Sequence, residues 1–275
     1  VGEITPEGSE GYAMGLFNLS MFLSLSLGPL LGGGIKDVWS LDAAFGCMGV
    51  LSAIGCLLCL FLLPPVSREQ AGEEKPAPLP WAALITDRGI VFIFLFRMAY
   101  TSCIGLIWCF IPVFADMRFD LSASLTGVLV MLGICVSGLL QLPMGYLADR
   151  VAKKKMVLLG GILSTAGMVL PYFADSFSDL VAAVLVFGLG GGISMPAIMA
   201  SAVIKGDEKK AMGSVMSIIT VAHSLGMFVG AMAGGLAMDY LSLEYAFPCG
   251  MLIMGLGTLS FLAAPDNSGL HKKNV

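Results

Sequence analysis

Eight long apolar stretches dominate this sequence and constrain its fold more than any other feature. Each is about as long as, or longer than, the roughly 20 residues that an α-helix needs to cross the hydrocarbon core of a bilayer. They cover approximately residues 12–35, 43–63, 90–115, 123–147, 156–174, 180–204, 212–238 and 244–264. Only 12% of the residues are charged, about half the usual share in soluble domains. The sequence therefore predicts an all-α polytopic membrane protein with eight transmembrane helices, surrounded by the lipid bilayer.

The composition excludes several other classes of protein. A net charge of −4 offers no polycationic surface for nucleic acid. All seven cysteines lie in apolar stretches, and the pair Cys56 and Cys59 has no second pair of ligands nearby, so we expect packing residues and no metal site. An intramembrane hydrolase would need paired aspartates, His-Glu-x-x-His or Gly-x-Ser-x-Gly, and the sequence has none of them. We therefore expect no enzyme activity, no catalytic residue and no bound cofactor.

The basic residues predict how the helices are oriented. Of the fifteen Lys and Arg residues, only Lys36 and Arg118 lie on one side, Arg97 lies within a stretch, and the other twelve fall on the opposite side. Cytoplasmic loops are enriched in Lys and Arg. Both ends of the chain are therefore predicted to be cytoplasmic, in an integral protein of the plasma (inner) membrane.

The first two stretches recur as the last two. Residues 8–15 match residues 206–213 at Gly, Glu, Ala, Met and Gly, and further along Asp37 matches Asp239. Because the copies lie six helices apart, both cross the membrane in the same direction, as parallel repeats do. The chain is thus predicted to be the C-terminal two-thirds of a twelve-helix, two-half transporter fold, and we expect four N-terminal helices to precede it in the parent chain.

A proline-rich, mixed-charge segment divides the sequence into unequal parts. The predicted organisation is residues 1–63 as the last two helices of the N-terminal half, 64–89 as a cytoplasmic central linker, 90–264 as the six-helix C-terminal half, and 265–275 as a cytoplasmic tail.

The loop after the fourth stretch carries a recognisable motif. Residues 145–155 read GYLADRVAKKK, which resembles the G-x-L-a-D-R-x-G-R-[RK] signature of the major facilitator superfamily, with Ala152 in place of its second glycine. The resemblance implies a cytoplasmic gating motif formed by Gly145, Asp149, Arg150, Lys153 and Lys154. An acid at the C-terminal end of its own helix is unfavourable, so Asp149 should seek the N-terminus of another helix. By similarity to the family, this would be the start of the first helix near Tyr12, a contact that latches the two halves and favours the outward-open state.

The first stretch contains a second motif. Residues 24–33 read SLSLGPLLGG, which resembles the G-x-x-x-G-P-x-x-G-G signature of the family's antiporter branch, with Ser24 as its first residue. A proline kinks a helix and glycines permit close packing, so a helix-bending motif is predicted at Gly28, Pro29, Gly32 and Gly33. A general small-residue packing face is the alternative. The glycine run at 188–192 lacks a phosphate-loop ending and is also predicted to serve helix packing.

Two ionisable residues lie deep within the stretches and suggest a transport path. Arg97 shares a helix stripe with Thr101 and Trp108, although snorkelling of its guanidinium to the cytoplasmic interface is an equal alternative. His223 lies near the middle of the seventh stretch, where it either couples transport to protons or packs as a neutral residue. Gln141 and Asn18 are weaker candidates for the same path.

The resemblance implies a secondary active transporter for a small molecule, a drug or a metabolite, that couples efflux to a proton gradient by alternating access. No carboxylate lies deep in any of the stretches, so the main proton-binding acid is expected in the missing helices. The alternatives are a metabolite uptake symporter, or a truncated membrane fragment that does not transport.

Overall fold

A computed structural model describes residues 9–62, 84 and 86–264, and this part of the chain contains helices and no strands. Eight of the helices are long and apolar enough to cross a membrane, as predicted. The predicted tail at 265–275 and most of the linker, residues 64–83 and 85, lie outside the described residues.

The eight helices follow one another with short connections. They are α1 (Glu10–Val38), α2 (Leu41–Leu62), α3 (Arg88–Phe119), α4 (Ala123–Arg150), α5 (Lys153–Val169), α6 (Phe177–Glu208), α7 (Met212–Tyr240) and α8 (Ala246–Leu262). Short 3-10 turns extend α5 over Leu170–Phe173 and precede α8 over Leu243–Tyr245.

Most helices are longer than the apolar stretches, because polar residues at their ends supply caps. Asp87 precedes α3 and accepts hydrogen bonds from the backbone N–H groups of Gly89 and Ile90, at 2.9 and 3.2 Å. Ser122 and Ser176 cap α4 and α6 in the same way. Such caps satisfy N–H groups that have no partner inside the helix, so the helices continue beyond the apolar stretches.

Helix α6 forms the centre of the bundle, and its glycine run makes close packing there possible. A side chain at Gly190 would collide with Gly160 and Ser164 of α5, and one at Gly192 would meet Leu140 of α4. Gly191 lies against the Tyr100 hydroxyl of α3. The packing role predicted for residues 188–192 is therefore confirmed. Because these glycines have no side chains, three neighbouring helices can pack closely against α6.

The other helices surround α6 in pairs. Helix α3 packs against α7 and α8, α5 packs against α6 and α8, and α4 packs against both α6 and α1. Large side chains fill the spaces between them, including Phe96, Phe114 and Phe247, which are at most 1% exposed. Helix α2 packs along α1, and none of its residues is buried.

Polar contacts join the helix ends on each side of the bundle. At one end Asp87 pairs with Lys209 at 2.9 Å, and Lys154 Nζ donates to the carbonyl of Ala264 at 2.7 Å. At the other end Arg118 binds Glu244 and Asp175. The described basic residues that were assigned to one side, from Arg88 to Lys210, thus do gather at one end of the helices, whereas their cytoplasmic location remains a prediction.

Candidate functional site

Arg97 and His223, the two deep ionisable residues, meet in the structure although 126 positions separate them. Arg97 Nη2 of α3 lies 3.3 Å from His223 Nδ1 of α7, and both residues are half-buried. A guanidinium can only donate, so the imidazole nitrogen accepts and His223 is neutral in this contact. The two residues lie about 14 and 17 Å from the starts of their helices at 1.5 Å per residue, so their contact is at membrane depth.

The guanidinium of Arg97 also reaches α6. Its Nη1 lies 2.7 Å from the thioether sulfur of Met195, thirteen residues before the end of α6. Met195 thus lies about 20 Å from the end of α6, whereas the backbone of Arg97 lies about 14 Å from the start of α3. Met195 is therefore the deeper of the two residues. The side chain therefore extends towards the bundle interior, the opposite direction from snorkelling to the cytoplasmic interface. Its Nε is buried and has no hydrogen-bond partner among the described residues.

The two other residues of the Arg97 stripe have different surroundings. Thr101 is fully buried, and its hydroxyl lies 2.9 Å from the carbonyl of Arg97 and 3.3 Å from the carbonyl of Ala222 on α7. Gly226 leaves room for this hydroxyl, so Thr101 joins α3 to α7. Trp108 is half-buried and packs against the hydrophobic core. Because it lies three helical turns from Arg97, the structure does not bring it to the Arg97–His223 contact.

A second polar group lies where α4 meets α1. Gln141 is fully buried, with its Nε2 3.4 Å from the carbonyl of Ser137 and its Oε1 without a partner in the described part of the chain. Asn18 is buried on α1, one turn after Gly15, and a side chain at Gly15 would meet the carbonyl of Gln141 at 2.5 Å. Both weaker candidates therefore lie at the α1–α4 interface, apart from the Arg97–His223 contact.

Tyr100 is a polar core residue that the sequence reasoning missed. It is fully buried one turn after Arg97, and its ring stacks on Phe187 of α6 with 5.4 Å between centroids. Its spacing of three residues from Arg97, which places both on one helix face, is the signal that could have identified it.

The predicted contact of Asp149 is present at one end of the α1–α4 pair. Its Oδ2 accepts a hydrogen bond from the backbone N–H of Tyr12 at 3.1 Å. Arg150 lies over the ring of Tyr146 at 3.9 Å, and Lys154 holds the end of α8 as described above. Lys153 is the half-buried first residue of α5, and Gly145 is buried in α4. The gating role of these residues remains a prediction.

The opposite end of the same helix pair has an equivalent contact that the sequence reasoning missed. Asp37, at the end of α1, accepts a hydrogen bond from the backbone N–H of Ser124 at 2.7 Å, at the start of α4. Each of the two antiparallel helices therefore ends in an aspartate that caps the start of the other. The position of Asp37 one residue before the end of a helix was the available signal.

Glycines bring α1 and α4 together between these caps. A side chain at Gly33 would meet the carbonyl of Ala123 at 2.5 Å, and one at Gly127 would meet the carbonyl of Pro29 at 2.5 Å. Gly28 and Gly32, in contrast, face no described residue within 4 Å. Only part of the predicted motif thus contributes to packing within the described residues, and α1 is one continuous helix through Pro29.

Within residues 9–62, 84 and 86–264, no three His, Cys, Asp or Glu side chains lie together as metal ligands would. Among the polar groups of the bundle, the guanidinium of Arg97 can donate hydrogen bonds and the imidazole of His223 can donate or accept them.

Comparison with known proteins identifies the family. The Major Facilitator Superfamily model matches residues 1–138 and 103–274. The chain is 24% identical to an uncharacterized MFS-type transporter of Methanocaldococcus jannaschii, over 95% of this chain and 68% of that protein. It is 26% identical to the MFS-type transporter SLC18B1 of Mus musculus, over 90% and 55%, and 24% identical to a probable sugar efflux transporter of Mannheimia succiniciproducens, over 94% and 64%. The chain thus spans about half to two thirds of the length of these relatives. With the family model covering nearly all of it, this chain belongs to the major facilitator superfamily.

Proposed function

We propose that this chain is part of a proton-coupled secondary transporter that exports a small molecule by alternating access. Family membership supports transport, and efflux is the function in the names of the Mannheimia relative and of a multi-drug resistance efflux pump homolog of Lactococcus lactis. The parallel repeat and the partial coverage of the relatives support four further helices, and the transporter would lie in the plasma (inner) membrane with both ends of this chain cytoplasmic.

The contact between Arg97 and His223 is the observation that carries proton coupling. Arginine stays protonated in proteins, and His223 accepts its hydrogen bond only while neutral. Arg97 is the charged group that acts on His223 among the described residues. A proton on His223 would place two positive charges about 3 Å apart, which the partly buried surroundings make costly. Protonation therefore breaks the contact and allows α7 to move relative to α3.

In the proposed cycle, the reciprocal aspartate caps would close the α1–α4 pair at one end or at the other. Asp149 closes the α1–α4 pair at the end that carries the basic residues, and Asp37 closes it at the other end. An inward-open state would lose the first cap and an outward-open state the second. The caps would thus hold the closed end in each half of the cycle.

The test is proton movement in liposomes that contain the full-length protein and the pH dye pyranine. Ethidium, glucose and p-aminohippurate serve as cationic, neutral and anionic probes under an imposed pH gradient. At least one probe should drive proton movement that depends on the protein, and His223→Gln should reduce that movement at least tenfold. Protons moving against the probe indicate antiport, whereas protons moving with it indicate the symport alternative.

Exchange of labelled for unlabelled probe needs no net proton movement, so it should survive in His223→Gln. The matched control is Thr220→Ala, because Thr220 lies on the same helix and its hydroxyl bonds the carbonyl of Met216 in its own helix. The control should leave both measurements unchanged. Unchanged proton movement in His223→Gln would exclude this residue from coupling, and no response to any probe would contradict the transport proposal.

A further inference from the structure

We propose that Arg97 forms an anion-binding site between α3, α6 and α7, and that the transported molecule carries a carboxylate or a similar anionic group. This inference rests on the proposed transport function for the identity of the occupant. The site itself rests on the surroundings of one guanidinium group, whose five N–H donors include several without a suitable acceptor.

The acceptors around Arg97 are weak and uncharged. Nη1 lies 2.7 Å from the sulfur of Met195, and a thioether is a poor acceptor. Nη2 lies 3.3 Å from a neutral imidazole nitrogen of His223. Nε is buried without any partner in the described structure. The positive charge of this half-buried side chain therefore receives no opposite charge from these groups.

The described acidic residues lie too close to the helix ends, and so too far from Arg97, to supply that negative charge. Every described Asp and Glu lies in a connection or within about one turn of a helix end, whereas Arg97 lies about 14 Å into α3. Arg118 shows the contrast, because it binds the carboxylates of both Asp175 and Glu244. Burying a charge without a counter-charge is costly in a protein interior and in a membrane, so the surroundings of Arg97 suit an anion.

The free donors also have the geometry of an anion site. In a guanidinium group, Nε and Nη2 lie on the same edge, and this edge binds the two oxygens of a carboxylate by parallel hydrogen bonds. Nε is unpartnered and Nη2 holds only the imidazole of His223. A carboxylate on this edge would displace the imidazole. The bound anion would also balance the charge of a proton on the released His223.

The experiment compares benzoate with benzamide, which has nearly the same shape and no charge. Binding of each compound to the full-length protein in detergent is measured by isothermal titration calorimetry. Benzoate should bind at least tenfold more tightly than benzamide. Arg97→Gln should remove this preference, and Arg97→Lys should keep part of it, since Lys retains the charge and loses the planar pair of donors. Arg118→Gln is the matched control and should leave benzoate affinity within threefold of the wild type.

Two results would overturn the anion site. Equal binding of benzoate and benzamide by the wild type would show that Arg97 has another partner, such as a carboxylate outside the described residues. Unchanged benzoate affinity in Arg97→Gln would place the anion elsewhere. If Arg97→Gln does not fold, the Arg97→Lys result and the wild-type preference decide. Benzoate binding that depends on Arg97, without proton movement for any probe in liposomes, would contradict transport and leave the anion site standing.

Discussion

Replacing Asp149 by Asn should shift the protein towards a state that is open at the end where α4 finishes. Asp149 Oδ2 accepts the backbone N–H of Tyr12 at 3.1 Å, at the first turn of α1. An asparagine keeps an oxygen acceptor and loses the negative charge. The variant therefore isolates the interaction of the charge with the positive end of the helix.

The expected magnitude follows from that interaction. A charge at a helix terminus contributes about 0.3–1 kcal/mol when it is near the surface, and Asp149 is half-buried. The loss corresponds to a shift of about twofold to fivefold in the ratio of closed to open forms at that end. Asp149→Ala also removes the cap, which is worth about 0.5–2 kcal/mol, so its shift should be larger.

Hydrogen–deuterium exchange of the full-length protein, followed by mass spectrometry, measures this shift without labels. Peptides from the start of α1 and the end of α4 should exchange about twofold to fivefold faster in Asp149→Asn. Asp37→Asn should act at the other end of the helix pair, with faster exchange at the end of α1 and the start of α4. Asp207→Asn is the charge control, since Asp207 is exposed near the Asp149 end and its carboxylate makes no hydrogen bond to a described residue.

Two outcomes would refute the reasoning. Equal exchange in Asp149→Asn, Asp207→Asn and the wild type would show that the cap does not influence opening. Faster exchange at both ends of the helix pair in Asp149→Asn would indicate general loosening of the fold and would remove the argument for a directional latch.

Two further predictions concern stability. Burial of Asp87 opposes its ionisation, but hydrogen bonds from Lys209 and from the N–H of Ile90 outweigh it and lower the pKa of Asp87 below 3.8, while Asp87 raises the pKa of Lys209 above 10.5. The pair thus stabilises the fold at any pH where Asp87 is ionised and Lys209 is protonated. This contribution is lost as Asp87 is protonated in acid and as Lys209 is deprotonated in strong base. The thermal unfolding temperature of Asp87→Asn should therefore fall below that of the wild type at pH 7, by an amount equivalent to less than about 1 kcal/mol for a partly exposed pair. The difference should shrink as the pH falls through the lowered pKa of Asp87, and a difference that stays constant in acid would contradict the charge argument. Gly190→Ala should destabilise the bundle by about 1–3 kcal/mol through overpacking, because the new Cβ would lie 2.5 Å from the backbone nitrogen of Ser164. Gly235→Ala is the control and should be neutral or stabilising, because no described atom lies within 4 Å of its new Cβ. Equal unfolding temperatures for the two variants would show that α5 and α6 can separate at little cost.

The helices were predictable from sequence because length and hydropathy alone determine what can cross a bilayer. Their ends were less predictable, since residues such as Asp87 and Ser176 extend helices by capping and carry no hydropathy signal. The packing role of the glycines at 188–192 also followed from composition. Which neighbours they approach depends on the arrangement of the whole bundle, and the sequence contains no direct record of it.

The candidate site was predicted as separate residues and not as an arrangement. Arg97 and His223 were both identified by their depth, yet their contact spans 126 positions and depends on how α3 packs on α7. The contact of Asp149 was expected through the family resemblance. Its counterpart at Asp37 was missed, although the same argument about an acid at a helix end applies to both residues. Local rules thus indicate that such an acid needs a partner, and the fold determines which one.

The reciprocal caps between α1 and α4 also affect how the protein is made. Their partners are 137 and 87 positions apart, so neither cap exists when α1 first leaves the ribosome. At about 5–20 residues per second, translation needs roughly 6–20 s to proceed from the end of α1 to the end of α4. During this time the glycine face of α1 has no partner helix from α4, and lipid or the insertion machinery must cover it. The α1–α4 surface is therefore completed only after α4 has been made, while α5 to α8 are still to follow.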